Sequence, residues 1–190
     1  MYNYKLKARA RNNAYALLRQ RPRSEFEIRE RLRLKGYDRE IIDTVVEDLR
    51  RLGEIDDEKF AMLWMQSRMH SNPVGDVVLK HELKIKGVAD PIIEATLSRK
   101  AKDYDEYEVA FNMAVEQFER FKKLDASASL GIDPERSRRV DKKKALKRVY
   151  DFLLRRGFKY DTIRKVIEGL GLKGPAAGSK EAGDNSYEDG

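Results

Sequence analysis

The chain has 190 residues, of which 38% are charged and 41% are apolar, and its net charge at pH 7 is +7. No apolar run approaches the roughly 20 residues of a membrane-spanning helix, and no apolar segment at the N-terminus resembles a signal peptide. Cysteine is absent, which excludes disulfides and thiolate metal sites. We therefore expect a cytoplasmic protein that is not associated with a membrane.

Residues 1–53 predict a first unit of three helices. The segment ARNNAYALLRQ predicts a helix that ends before Pro22. Ser24 and Glu27 have the spacing of a capping box, which predicts that a second helix starts there. The apolar residues Ile42 and Val46, four positions apart, indicate a third helix after Gly36.

The second helix ends in a six-residue motif that occurs three times in the chain. The copies are LRLKGY at 32–37, LKIKGV at 83–88 and LLRRGF at 153–158. Glycine carries no steric penalty in the left-handed conformation that commonly ends a helix. We therefore predict that Gly36, Gly87 and Gly157 are helix caps, each followed by an apolar residue that packs back onto the helix.

The motif places the same three-helix pattern in the rest of the chain. Residues 54–102 predict a second unit, in which Asp56 caps the first helix and Asp90 caps the third. Residues 103–172 predict a third unit with an interior loop at 123–137 and a basic segment after it. Residues 173–190 are small and polar, and we expect this tail to be disordered.

These elements predict an all-α protein made of three tandem three-helix repeats. A unit of about 50 residues buries little apolar surface alone, so neighbouring units should stack into an elongated, curved array. No convergent set of catalytic side chains is apparent, and His70 and His81 lie on or near different predicted helices. We expect no enzymatic activity, no cofactor and no metal site.

Basic residues are concentrated in two parts of the chain. The net charge is +6 over residues 1–53 and +9 over 135–165, whereas it is −5 over 103–134. Cations that recur at equivalent places in stacked units could follow a phosphate backbone, although ordinary solvated helix faces would give the same pattern. The basic stripe predicted to bind a partner or nucleic acid comprises Arg29, Arg33, Lys35, Arg39, Lys80, Lys84, Lys86, Arg139, Lys143, Arg155, Arg156, Lys159, Arg164 and Lys165.

Four segments in order resemble the RecX family. They are SEFEIRERLRLKGY (24–37), IDDEKFAMLWMQSR (55–68), ELKIKGV (82–88) and FLLRRGFKYDTIRKVI (152–167). The resemblance implies a bacterial cytoplasmic regulator, mainly an inhibitor, of RecA recombinase filaments on single-stranded DNA. It implies binding in the filament groove or at its end, with lower ATP hydrolysis, strand exchange and co-protease activity in the SOS response.

A second hypothesis stays open beside the resemblance. The three-helix units could act as a free-standing DNA-binding module that needs no protein partner. A filament regulator should bind naked duplex DNA weakly, whereas a free-standing module should bind it tightly. Asn and Gln, which read base edges, are scarce on the basic stripe, and this favours the regulator. We expect a monomer in either case.

Overall fold

The computed structural model describes residues 2–126 and 134–170. Within these ranges every regular element is a helix, which confirms the all-α prediction. The helices are α1 (Tyr2–Leu18), α2 (Glu25–Leu34), α3 (Arg39–Arg51), α4 (Asp57–Ser71), α5 (Asp76–Ile85), α6 (Asp90–Asp103), α7 (Glu106–Ala126), α8 (Pro134–Arg155) and α9 (Tyr160–Gly169).

The helices form three units in tandem, each with its own apolar core. Unit 1 comprises α1 to α3, and Ile28, Leu32 and Leu49 are fully buried in its core. Unit 2 comprises α4 to α6 around a second cluster, and unit 3 comprises α7 to α9 around a third. Because each cluster draws on all three helices of its own unit, the unit is the element that repeats along the chain.

The middle helix of every unit ends in the same turn. Gly36, Gly87 and Gly157 have φ values of +81°, +74° and +78°. In the first copy the Gly36 amide donates to the Arg33 carbonyl at 2.9 Å, and the Tyr37 amide donates to the Leu32 carbonyl at 3.3 Å. The other two copies contain the equivalent pair of bonds. This is the Schellman motif, which satisfies carbonyl groups that a helix end leaves unpaired.

The glycine turn also determines where the third helix of each unit begins. The N-cap residue lies two positions after the glycine in all three units, at Asp38, Ala89 and Lys159. The prediction that Asp90 is an N-cap is therefore wrong by one residue. Asp90 is the first residue of α6, and its carboxylate instead pairs with Lys84 at 3.0 Å. The capping box at Ser24 and the Asp56 cap of α4 are confirmed.

The predicted loop at 123–137 is partly helical. Helix α7 runs on to Ala126, and α8 already begins at Pro134. Proline suits the first turn of a helix because its missing N–H would have no partner there. The basic segment after the loop consequently belongs to a 22-residue helix. Residues 127–133 and the tail at 173–190 lie outside the described residues.

Candidate functional site

The start of α2 packs on the glycine turn at the end of α5, and we call this contact junction 1. The Ser24 hydroxyl donates to the Lys86 carbonyl at 2.6 Å. The Glu25 amide, at the first position of α2, donates to the Asp57 carboxylate at 2.8 Å. Phe26 lies so close to Gly87 that a Cβ on that glycine would fall 2.3 Å from the Phe26 Cβ. Units 1 and 2 are therefore joined through a helix start and a helix end.

Junction 2 joins units 2 and 3 in the same way. The Gly75 amide donates to the Arg156 carbonyl at 2.8 Å, and the Val77 amide donates to the Gly157 carbonyl at 3.4 Å. Gly75 stands 12 residues before Gly87, as Ser24 stands 12 residues before Gly36. A Cβ on Gly75 would lie only 2.0 Å from the Gly157 carbonyl oxygen. Only glycine allows the two backbones to approach this closely.

Lys86 holds junction 1 together instead of facing solvent. Its Nζ lies 3.2 Å from the Glu27 carboxylate and 3.9 Å from the centre of the Trp64 ring. Only 16% of the side chain is exposed. A cation so placed is held by an ion pair and a cation–π contact together. The structure thus places this predicted binding residue in an internal contact.

Glu27 is the acid that pairs with Lys86 in junction 1. Burial raises the pKa of Glu27, but the hydrogen bond from Arg21 and the positive charge of Lys86 outweigh burial, so the pKa falls to about 2. A carboxylate whose pKa is lower in the folded chain stabilises the fold above its ordinary pKa. That stabilisation is lost as the pH falls through the folded value.

We expect Glu27→Gln to lower the free energy of unfolding at pH 7 by about 1 kcal/mol, because the pair is partly solvated. The difference from wild type should shrink as the pH falls below about 4.5 towards 2. Urea unfolding at several pH values measures this difference in the free energy of unfolding. Glu30→Gln is the control, since Glu30 pairs with Arg33 on the exposed surface of the same unit. A pH-independent difference would contradict this role for Glu27.

Junction 2 contains a chain of two ion pairs, in which one lysine is buried and the other exposed. Lys100, which is 3% exposed, lies 2.7 Å from the Asp76 carboxylate, and Lys159 lies 2.9 Å from the same carboxylate. Burial raises the pKa of Asp76, but the hydrogen bonds and charges of these two lysines lower it overall. The predicted binding residue Lys159 therefore links units 2 and 3, as does Arg156, whose guanidinium donates to Asn72.

In units 1 and 2 the predicted cations are largely neutralised by nearby acids. Arg29 contacts Glu25 at 2.8 Å and Asp43 at 2.5 Å, and Arg39 lies 3.7 Å from Asp43. The remaining pairs of this kind are Arg33–Glu30 at 2.6 Å, Lys80–Glu94 at 2.5 Å and Lys84–Asp90 at 3.0 Å. The basic stripe is thus weaker in these units than the count of cations indicates.

Some members of the predicted basic stripe are exposed and have no acidic partner among the described residues. Most of them lie in unit 3. Lys143 and Arg155 lie on α8 and Lys165 lies on α9, whereas Lys35 is the one such member of the stripe in unit 1. Arg164 lies 3.8 Å from Asp161. The side chain of Arg139 lies outside the described residues. Three of the four exposed stripe members without an acidic partner in the described part of the chain therefore lie on α8 and α9.

The predicted stripe left out Lys144 and Lys147, which are both exposed on α8 with no acidic partner among the described residues. Lys147 lies one turn after Lys143. Residues four apart lie on the same side of a helix, so the spacing would have identified Lys147 had the segment been predicted as a helix. We define the unit 3 basic surface as Lys143, Lys147, Arg155 and Lys165.

Comparison with known proteins identifies the chain. Three family models match it in order, the first, second and third three-helix domains of RecX, at residues 10–49, 56–97 and 135–167. The chain belongs to the RecX family. Regulatory protein RecX of Corynebacterium efficiens is 38% identical over 152 residues, which are 80% of this chain and 67% of that protein. Regulatory protein RecX of Pelodictyon phaeoclathratiforme is 31% identical over 85% of this chain and 88% of its own length.

Solved RecX structures have the same fold. The crystal structure of RecX from Lactobacillus salivarius superposes with a TM-score of 0.67 at 22% identity, covering 87% of this chain and 96% of that one. At this identity the likeness concerns the fold alone. The third RecX family model begins inside α8, so α7 lies between the second and third matches.

Two kinds of feature are absent from the described residues. No helix among them is both long and apolar enough to cross a membrane. They also contain no group of three or more His, Cys, Asp or Glu residues that could hold a metal ion.

Proposed function

We propose that this protein regulates RecA recombinase filaments on single-stranded DNA, mainly as an inhibitor that lowers ATP hydrolysis, strand exchange and co-protease activity. The observation that carries the proposal is the match of all three units, in order, to the RecX family. It would act as a binding protein and not as an enzyme. Its place would be the cytoplasm, as a monomer, in DNA repair, DNA recombination and the SOS response.

The charge distribution supports a division of roles between the units. The unit 3 basic surface carries side chains with no acidic partner in the described part of the chain, and such cations can contact phosphates and release counterions. The stripe members of units 1 and 2 are mostly paired with acids, so the contacts of this part of the stripe would be with protein. We propose that unit 3 lies nearer the DNA and that units 1 and 2 lie on RecA, in the filament groove or at its end.

The unit boundaries at 53/54 and 102/103 are part of the same proposal. Junction 1 is formed by hydrogen bonds between side chains and backbone groups and by Phe26 against Gly87, and junction 2 by backbone hydrogen bonds. Both favour an array that binds as one body. An array of this kind suits a partner whose subunits also repeat, because successive units then meet successive subunits.

RecA ATP hydrolysis on single-stranded DNA tests the proposed function. We expect hydrolysis to fall as the protein is added, at protein-to-RecA ratios below one, with RecA from the same organism. A protein that blocks a growing end or bridges filament subunits acts on many subunits at once, which is why a low ratio suffices. Unchanged hydrolysis, together with tight binding to naked DNA, would favour a free-standing DNA-binding module instead.

A further inference from the structure

The glycine turn of unit 1 lacks the contact that its two counterparts make. The turns at Gly87 and Gly157 each receive the start of a middle helix from the preceding unit. At Gly36 an added Cβ would meet nothing within 4 Å. No described residue of units 2 or 3 donates a hydrogen bond to the carbonyl of Lys35 or Gly36. The end of α2 is thus an open copy of an interface that the chain uses twice.

The charges at the occupied turns indicate what would fit the open one. At each of them a lysine within two residues of the glycine pairs with an acid in the first turn of the incoming helix, and the two lysines stand at different positions of the motif. These pairs are Lys86 with Glu27 and Lys159 with Asp76. Lys35, the counterpart of Lys86, is exposed and has no acidic partner among the described residues. The negative end of the α2 dipole also favours the positive start of another helix.

Among the described residues, a second copy of this chain offers no matching helix start. The starts of α2 and α5, at Ser24 and Gly75, already occupy the turns of units 2 and 3. With the glycines in register, the equivalent position in unit 3 is Ala145, which lies inside α8. In the described part of the chain the equivalent helix starts are therefore taken, which favours an incoming helix from a different protein.

We propose that the Gly36 turn, defined as Leu34, Lys35 and Gly36, is a docking site for the start of a helix of the protein partner. The fitting helix has a small or hydroxyl-bearing N-cap residue, which can approach the turn closely, and an acid in its first turn, which pairs with Lys35. The proposal rests on the proposed function, since it assigns this helix to the RecA filament. It adds the kind of contact and the place on this chain where the contact forms.

Gly36→Ala tests the docking site, and Gly53→Ala is its matched control. Both glycines have positive φ, +81° and +72°, and a Cβ meets nothing within 4 Å at either position. The two variants should therefore lose similar stability in thermal melts. The measurement is the Kd of the full-length protein for a RecA filament assembled on single-stranded DNA. We expect Gly36→Ala to bind at least tenfold more weakly than Gly53→Ala, and Lys35→Glu to bind more weakly than wild type.

The outcomes separate the two proposals. If wild type binds the filament and Gly36→Ala binds as well as Gly53→Ala, the docking site is wrong and the proposed function stands. If wild type does not bind the filament, the proposed function is wrong and the docking site falls with it. If wild type self-associates in light scattering and Gly36→Ala abolishes this, the occupant is a second copy, which also overturns the proposal.

Discussion

Gly75→Ala should lower the free energy of unfolding by about 2 to 4 kcal/mol. The φ of Gly75 is −74°, which alanine adopts without strain, so the whole effect comes from the contact at junction 2. The added Cβ would overlap the Gly157 carbonyl oxygen at 2.0 Å, and a backbone atom cannot rotate away. Overpacking of this kind costs about 1 to 3 kcal/mol, and losing the hydrogen bond from Gly75 to Arg156 adds about 1 kcal/mol.

Urea unfolding measures the free energy that Gly75→Ala loses, and two other glycine variants provide the comparison. Gly36→Ala introduces left-handed strain alone, about 1 kcal/mol, because its turn is open. Gly157→Ala introduces the same strain and also places a Cβ 2.6 Å from the Val78 amide nitrogen, so its loss should be the largest of the three. If Gly75→Ala costs no more than Gly36→Ala, units 2 and 3 can separate without loss of stability, and the account of junction 2 is wrong.

The two junctions explain why the chain repeats a helix-ending motif instead of merely repeating helices. The turn ends one helix, fixes the start of the next helix two residues later, and receives the start of a helix from the preceding unit. One short stretch of sequence therefore determines both the shape of a unit and its position against its neighbour. Changes at the glycines should for this reason affect the whole array.

Most of the fold could be predicted from the sequence, because the ends of helices depend on a few neighbouring residues. The spacing of Ser24 and Glu27 and the glycines of the repeated motif are read from a few adjacent residues. The exact start of α6 was missed, since Asp90 is a good cap residue in isolation but the preceding turn places the cap at Ala89. The length of α8 was missed because a run of basic residues resembles a solvated loop.

The candidate site was harder to predict than the fold, because ion pairs join residues that lie far apart in the sequence. Lys86 and Glu27 are 59 positions apart, and Lys159 and Asp76 are farther apart still. A count of cations cannot show which of them face an acid. The register of the repeats does carry a signal for the junctions, since Ser24 and Gly75 stand at the same distance before a motif glycine.

The triple variant Lys143→Gln, Lys147→Gln, Arg155→Gln should weaken binding to single-stranded oligothymidine about tenfold or more at low salt. These side chains are exposed and have no acidic partner among the described residues, so each is free to contact a phosphate. Each phosphate contact on a single strand contributes about 0.7 to the slope of log K against log salt, so the slope should become shallower by about 2. Fluorescence anisotropy at several salt concentrations measures both quantities.

The matched control changes the net charge equally at cations that already have partners. Arg33→Gln, Lys80→Gln and Lys84→Gln together remove three charges that pair with Glu30, Glu94 and Asp90. If DNA binding depends on where the unpaired charge lies, this control variant should keep the wild-type slope of log K against log salt. Equal losses in both triple variants would mean that the total charge of the chain attracts DNA, and the unit 3 basic surface would then have no special role.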